Sequence, residues 1–167
     1  SSSGLPYALT TYCGLLPWQV FSSSVTLSAR SLVTNQDLIR KVYFPRILVP
    51  AIPLVIGLID FAIASTVLVA MMIAYQIEPT RAILLSPLFV GMTALAALGA
   101  GLWLSALNSL YRDVQQATPL LMQVLFFLSP AIYELHGFIP GHLGWLLALN
   151  PLTGAIAGFR WAVLGVP

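Results

Sequence analysis

Hydrophobic positions along this chain come in long blocks, and the polar positions that separate the blocks carry nearly all of the charge. The uncharged runs are Ser1 to Ala29, Ile47 to Ile59 and Phe61 to Ile77 on either side of Asp60, Ala82 to Tyr111, Val114 to Tyr133, and Leu135 to Phe159. A bilayer core of roughly 30 Å takes about 20 mostly apolar residues per helix. The blocks therefore predict an all-α, polytopic membrane protein with four spanning segments. These run from about Pro6 to Ser28, Ile47 to Tyr75, Ala82 to Leu107 and Val114 to Tyr133. Gly14 and Pro17 predict a bend in the first, which neighbouring helices must support. The second starts on Pro50 and Pro53 and is long enough to span with tilt. The third is rich in small residues, Gly91, Ala94, Ala97, Gly99, Gly101 and Ser105, the kind that let helices pack closely. The fourth closes on Ser129-Pro130.

The last block differs in kind. Leu143 to Leu149 is too short to cross, and Asn150-Pro151 separates it from the apolar stretch Leu152 to Val166. Two half-length helices around a turn predict a re-entrant or interfacial pair, tolerated at membrane depth only where protein or water surrounds the backbone. One broken spanning helix from His142 to Val166 is the alternative. The chain opens on Ser1 with no Met and no basic leader and stops at Pro167 after an apolar stretch, so it is expected to be the middle of a longer protein. Residues 1–167 form a single membrane domain in this reading.

Composition sharpens the picture: 59% of residues are hydrophobic and 7% charged, with a net charge of +2 whose placement matters more than its size. Arg30, Arg40, Lys41 and Arg46 lie between the first two segments and Arg112 between the last two, whereas Arg81 stands beside Glu78 in the remaining turn. Basic loops stay on the cytoplasmic side, which puts the re-entrant pair on the outer side. A single cysteine, Cys13, excludes an internal disulfide and a cysteine metal cluster. No cluster of Asp, Glu or Cys accompanies His136 and His142, so no metal site is expected. Lys41, the only lysine, has no Gly-rich approach, which excludes a phosphate-binding loop. Asp60 sits mid-segment, where an ionised Asp costs on the order of 2.5–3.5 kcal/mol. It is expected to face the bundle interior or water, or to be protonated. With no basic partner read in another membrane run, a structural role is favoured over a proton or ion relay.

Asn35 to Arg46 reads as a short amphipathic helix at the membrane surface. Asn35 is the expected N-cap, Asp37 lies in the first turn, Arg40 and Lys41 lie in the last, and Pro45 ends it. Leu38 with Val42 and Ile39 with Tyr43 form apolar pairs opposed by Gln36, Arg40 and Lys41. Two readings stand: a basic loop that only sets orientation, and a lever docked on a cytoplasmic partner. Asn108 to Val114 would give that partner a second contact through Arg112 and Asp113.

These two turns, together with Leu128-Ser-Pro-Ala-Ile-Tyr133 and Leu149-Asn-Pro-Leu-Thr-Gly154, are where the chain resembles the permease subunits of ABC-2 type transporters that export bacterial polysaccharides: O-antigen, capsule and teichoic acid. The resemblance covers essentially the whole chain, with the motifs in order. It implies a six-helix subunit of which helices two to five are present, without the amphipathic N-terminus, first helix and last helix. It makes Asp37, Arg40, Tyr43, Phe44, Arg46, Tyr111, Arg112 and Asp113 the coupling residues, and Asn150 and Pro151 part of an outer gate. It implies no catalytic residue and no cofactor in this chain. ATP and Mg would be bound by a separate ATP-binding subunit, two copies under a permease homodimer in the bacterial inner membrane. The substrate would be a lipid-linked polysaccharide, and the other partners membrane lipids but no nucleic acid. Sugar rings stack on aromatics, which makes Tyr12, Trp18, Phe21, Phe126, Phe127 and Tyr133 the path candidates, against an ordinary packing or interfacial role. Other readings are an ABC-2 permease for a drug or lipid, a membrane enzyme on lipid-linked sugars, and an ion-coupled carrier. The enzyme would have only Asp37 and Asp113 as acids in its cytoplasmic turns. The carrier would rest on Asp60 with no inverted repeat visible.

Overall fold

The computed structural model describes residues 6–129 and 150–165, and within them every regular element is helical. The elements are α1 (Tyr7–Thr34), α2 (Gln36–Lys41), α3 (Leu48–Ala74), a 3₁₀ turn (Arg81–Leu85), α4 (Ser86–Leu110), α5 (Asp113–Leu128) and α6 (Pro151–Leu164). Two of them meet the length and apolarity needed to cross a bilayer, α3 and α4 with its 3₁₀ lead-in. α1 is long enough, about 42 Å for its 28 residues, but carries more polar side chains. α5, at 16 residues, is about 24 Å long. Tyr133 and the expected half-helix Leu143 to Leu149 lie outside the described residues, as do Pro130, His136 and His142.

The bundle is organised on α1, which touches α3, α4, α5 and α6. Small residues set the approach. Ser24 lies against Gly57 of α3 and Ser28 against Gly101 of α4, so close that a Cβ at either glycine would overlap the serine. Ser28 also donates its hydroxyl to the Pro50 carbonyl, tying the first turn of α3 to α1. On α4 the buried positions Thr93, Ala97, Gly101, Ser105 and Asn108 recur every three to four residues and face this contact. The small-residue stripe read from the third segment is thus a packing stripe, apart from Gly91 and Gly99, which meet nothing within 4 Å. α1 runs through Pro17 as one helix and continues past Ser28 to Thr34.

α6 shows how half of the expected re-entrant pair sits. Leu152 and Ile156 share a buried cluster with Trp18, Phe21 and Val25, at the middle of α1. Phe159, Val163 and Leu164 share a second cluster with Leu9 and Cys13, toward the start of α1. The helix therefore begins inside the bundle and climbs to the end where Gly165, in the left-handed region at φ 70°, closes it next to the Thr80 hydroxyl. Asn150-Pro151 is the start signal: Asn150 Oδ1 accepts from the Leu152 amide at 3.1 Å, and proline fills the first helical position, which needs no N–H donor. Asn150 Nδ2 also reaches Ser129 Oγ at 3.5 Å, joining the end of α5 to the start of α6.

Three local expectations are corrected. Asn35 does not cap α2 with its side chain. Its Nδ2 turns back to the Ser31 carbonyl at 2.8 Å and finishes α1, while its own carbonyl receives the Ile39 amide. α2 ends at Lys41 with Val42 extended, ahead of Pro45, so Val42 and Tyr43 fall outside the helix. The residue before a proline is pushed out of the α region, and here extended backbone starts two residues earlier still. Of the settings expected for Asp60, only the interior of this chain is overturned: the buried stripe of α3 runs through Pro53, Gly57, Leu68 and Met72 and leaves Asp60 exposed between Ile59 and Ile63.

Candidate translocation groove and coupling surface

One end of the bundle gathers the basic residues, because α1, α4 and the loop to α3 all terminate there. All eight expected coupling residues, Asp37, Arg40, Tyr43, Phe44, Arg46, Tyr111, Arg112 and Asp113, are exposed at this end. The two turns that carry them meet: Arg40 and Arg46 share a cavity of about 260 Å³ with Ser109, the residue following Asn108 at the end of α4. Leu38 and Phe44 turn the other way, over an apolar groove lined by Leu27, Val49 and Ile52 between α1 and α3. The apolar face expected from two residue pairs is not formed as expected, because Ile39 lines the basic cavity beside Gln36 and Arg40 while Val42 and Tyr43 are exposed.

A polar groove leaves the basic end and follows the contact of α1 with α5. At its mouth is a cavity of about 630 Å³ bounded by Arg30, Asn108, Arg112, Gln115 and Gln116. Pro119 connects it to a second cavity of about 450 Å³ lined by Gln19, Ser22, Thr26 and Gln123 and closed by Trp18 and Phe126. The two rings stand 5.3 Å apart and tilted. Phe127 lies against Phe126 edge-on and is exposed. The groove is amide- and hydroxyl-rich at its flanks and ends on an aromatic pair, a surface suited to carbohydrate, which offers many hydroxyls and apolar ring faces.

Of the expected path residues, Trp18 and Phe126 are brought together on this groove, and Phe127 stands beside it. Tyr12 and Phe21 are elsewhere. The Tyr12 hydroxyl donates to the Ala64 carbonyl at 3.2 Å on α3, and Phe21 is buried in the core. Asn150 and Pro151 lie at the start of α6. Residues the sequence reading passed over are Gln19, Ser22, Thr26, Gln116 and Gln123. Their signal was present, since Gln19, Ser22, Thr26 and Arg30 recur at three- and four-residue intervals and so lie on one helix face. Arg160 was also missed inside a run taken as apolar. It is 3% exposed on α6, the only buried charged residue among those described. No group of three or more metal-ligating side chains occurs among the described residues.

Comparison with known proteins places this architecture. Residues 20–164 match the family model of ABC-2 type transporters. The O-antigen export system permease protein RfbA of Klebsiella pneumoniae is 29% identical over 155 residues, 92% of this chain and 60% of that protein. The protein of the same name from Myxococcus xanthus is 30% identical over 150 residues, 89% of this chain and 58% of that protein. The chain thus spans about 60% of the length of the relatives it matches. The chain belongs to the ABC-2 type transporter family.

Proposed function

We propose that this chain is the core of a permease subunit that exports a polysaccharide, lipid-linked in the form of O-antigen, capsule or teichoic acid, across the bacterial inner membrane. The observation that carries the reading is the groove along α1 and α5, which sets Gln19, Ser22, Thr26 and Gln123 beside apolar Leu15 and Met122 and ends on Trp18 and Phe126. The names of the related permeases support it. The basic end is cytoplasmic on the distribution of Arg30, Arg40, Lys41, Arg46 and Arg112. There a separate ATP-binding subunit, with its ATP and Mg, docks on α2 and the α4–α5 turn. Two permease copies over two ATP-binding copies would close the open side of the groove into a path. Nucleotide-driven closure moves α2 and, through Asn35 and Ser31, the end of α1.

Deletion of the gene is expected to remove surface polysaccharide and leave the lipid-linked precursor inside the cell. Re-expression of the full-length permease should restore export, while Phe44→Ala or Arg40→Glu should insert normally and fail to export. The tagged permease should co-purify with an ATP-binding protein in near-equal amount. Intact surface polysaccharide in the deletion strain refutes the cargo assignment.

A further inference from the structure

We infer that Asn108 is a positioning residue for coupling: it ties the α4–α5 turn to the base of α1, so that the two turns at the basic end move as one body. The inference rests on the proposed docking of an ATP-binding subunit at this end, and on the hydrogen bonds of the bundle for the linkage itself. Asn108 lies in the last turn of α4, 2% exposed, and donates Nδ2 to the Ala29 carbonyl at 2.7 Å across 79 residues of sequence. Ala29 is fully buried near the end of α1. A carbonyl oxygen has two lone pairs, so Ala29 can serve its own helix and the side chain together. Its neighbours carry the other linkages. One residue earlier, Ser28 donates its hydroxyl to the Pro50 carbonyl in the first turn of α3. Two residues later, Ser31 donates to the Ser28 carbonyl at 2.7 Å, and Asn35, the junction of α1 with α2, donates to the Ser31 carbonyl at 2.8 Å. The base of α1 thus holds α2 through Asn35, α3 through Ser28 and α4 through Asn108.

Stability does not account for an asparagine at this position. Its Oδ1 is buried with no hydrogen-bond partner among the described residues. A buried acceptor left unsatisfied costs at least as much as one interhelical hydrogen bond returns in a membrane. A leucine, with as many side-chain heavy atoms, would fill the site without that cost. What a directional bond adds is a fixed register between two elements. Gly101 against Ser28 sets how closely α4 approaches α1, and Asn108, two turns further along, sets how far α4 can rotate there. Elsewhere at this end the two docking turns face each other across open cavities, at Gln36 and Ser109. A push on either turn therefore reaches the other through Ala29. Because α5 follows the second turn directly, the same bond holds the mouth of the groove, which Asn108 borders, and leaves widening to the far end at Trp18 and Phe126.

The test uses the full-length permease with its ATP-binding partner in nanodiscs, with spin labels at Lys41→Cys and Leu110→Cys and every other cysteine replaced except the buried Cys13. Lys41 and Leu110 are exposed, one on each side of the linkage and neither among the expected coupling residues. Labelled copies are diluted with unlabelled ones, so that distances within one copy are read. With Asn108 in place the distance should be narrowly distributed and should not change when ATP and vanadate are added. In Asn108→Leu it should broaden and shift with nucleotide. In cells the same variant should lower export by about fivefold or more, while the ATPase rate of the purified complex and the thermal midpoint of Cys13 labelling do not fall. Asn108→Ala, which removes the bond without adding bulk, decides by the same readings if leucine disturbs assembly. A distance that stays fixed in both variants overturns the inference even where export falls, since Asn108 then acts only as groove wall. Midpoint, ATPase rate and export falling together also overturn it and leave Asn108 a packing residue. Surface polysaccharide that persists in the deletion strain defeats the export reading alone, and the distance still decides the linkage.

Discussion

Gly101 should be intolerant of a single added methyl group, while Gly99, two residues away on the same helix, should welcome it. A Cβ at Gly101 would lie 2.8 Å from Ser28 Cβ and 3.0 Å from Ser28 Oγ, whereas one at Gly99 meets nothing within 4 Å. Carbon–carbon contacts settle near 3.5–4.0 Å, so α1 and α4 must part locally by roughly 1 Å. Overpacking of this kind costs about 1–3 kcal/mol. Ser28 cannot simply rotate away, because its hydroxyl is bonded to the Pro50 carbonyl and disturbing that bond adds about 0.5–1.5 kcal/mol. Gly101→Ala should therefore destabilise by about 1.5–4.5 kcal/mol, less up to about 1 kcal/mol regained from the better helix former. Gly99→Ala collects only the gain.

The chain contains its own reporter. Cys13 is its single cysteine and is fully buried. In full-length protein with any cysteine outside these residues replaced by serine, a thiol-reactive fluorogenic dye labels Cys13 only as the bundle opens. The midpoint of a thermal scan should fall for Gly101→Ala and hold or rise for Gly99→Ala. Equal midpoints for the two variants, or a higher one for Gly101→Ala, would refute the claim that the α1–α4 contact is set by the missing side chain.

Two other perturbations probe different elements. Asn150→Ala removes the acceptor at the start of α6 and should cost about 0.5–2 kcal/mol, read as roughly 2- to 30-fold faster hydrogen exchange at the Leu152 and Thr153 amides; Asn150→Asp, which keeps an acceptor, should stay near wild type, and unchanged exchange in the alanine variant would show that something else holds this turn. Asp60→Leu in an isolated α3 segment should improve membrane insertion by about 3–4 kcal/mol in a glycosylation-based assay, and no improvement would mean that Asp60 is already sheltered or neutral within its own helix.

The long apolar blocks located α3 and α4 to within a few residues, because a helix whose surface lies largely outside the bundle must be apolar almost all round. Boundaries governed by single side chains were less legible. α1 outruns its apolar block because Ser31 and Asn35 bond to carbonyls of its last turns, an interaction that hydropathy does not weigh. The start of α6 was visible as Asn-Pro, a capping residue followed by the one residue that fits the first helical position. Its depth was not visible, since depth depends on which side chains Leu152 and Ile156 meet. Among the site residues, the basic turns were legible by charge, and their meeting at Ser109 required the fold. The groove was half missed because aromatic residues were weighted as sugar platforms one by one. Of these, Tyr12 and Phe21 serve packing, while the periodic amides and hydroxyls beside Trp18 were passed over.

That periodicity accounts for a second apparent anomaly. α1 is the hub of the bundle, yet it is α3 and α4 that meet the requirement for apolar spanning helices. Lipid selects for hydrocarbon only where a helix touches lipid, and α1 touches protein on most of its circumference. Its polar residues divide by face. Ser24 and Ser28 lie inward, small enough to admit Gly57 and Gly101 and able to spend a hydroxyl on a backbone carbonyl. Gln19, Ser22, Thr26 and Arg30 lie toward α5, where the surface is open and can be wet. A substitution of Ser28 should therefore act on stability and one of Gln19 on passage, although both are uncharged polar residues within three turns of each other on one helix. Polarity that weakens α1 as a stand-alone membrane helix is what allows it to line a hydrophilic groove while holding the other helices in place.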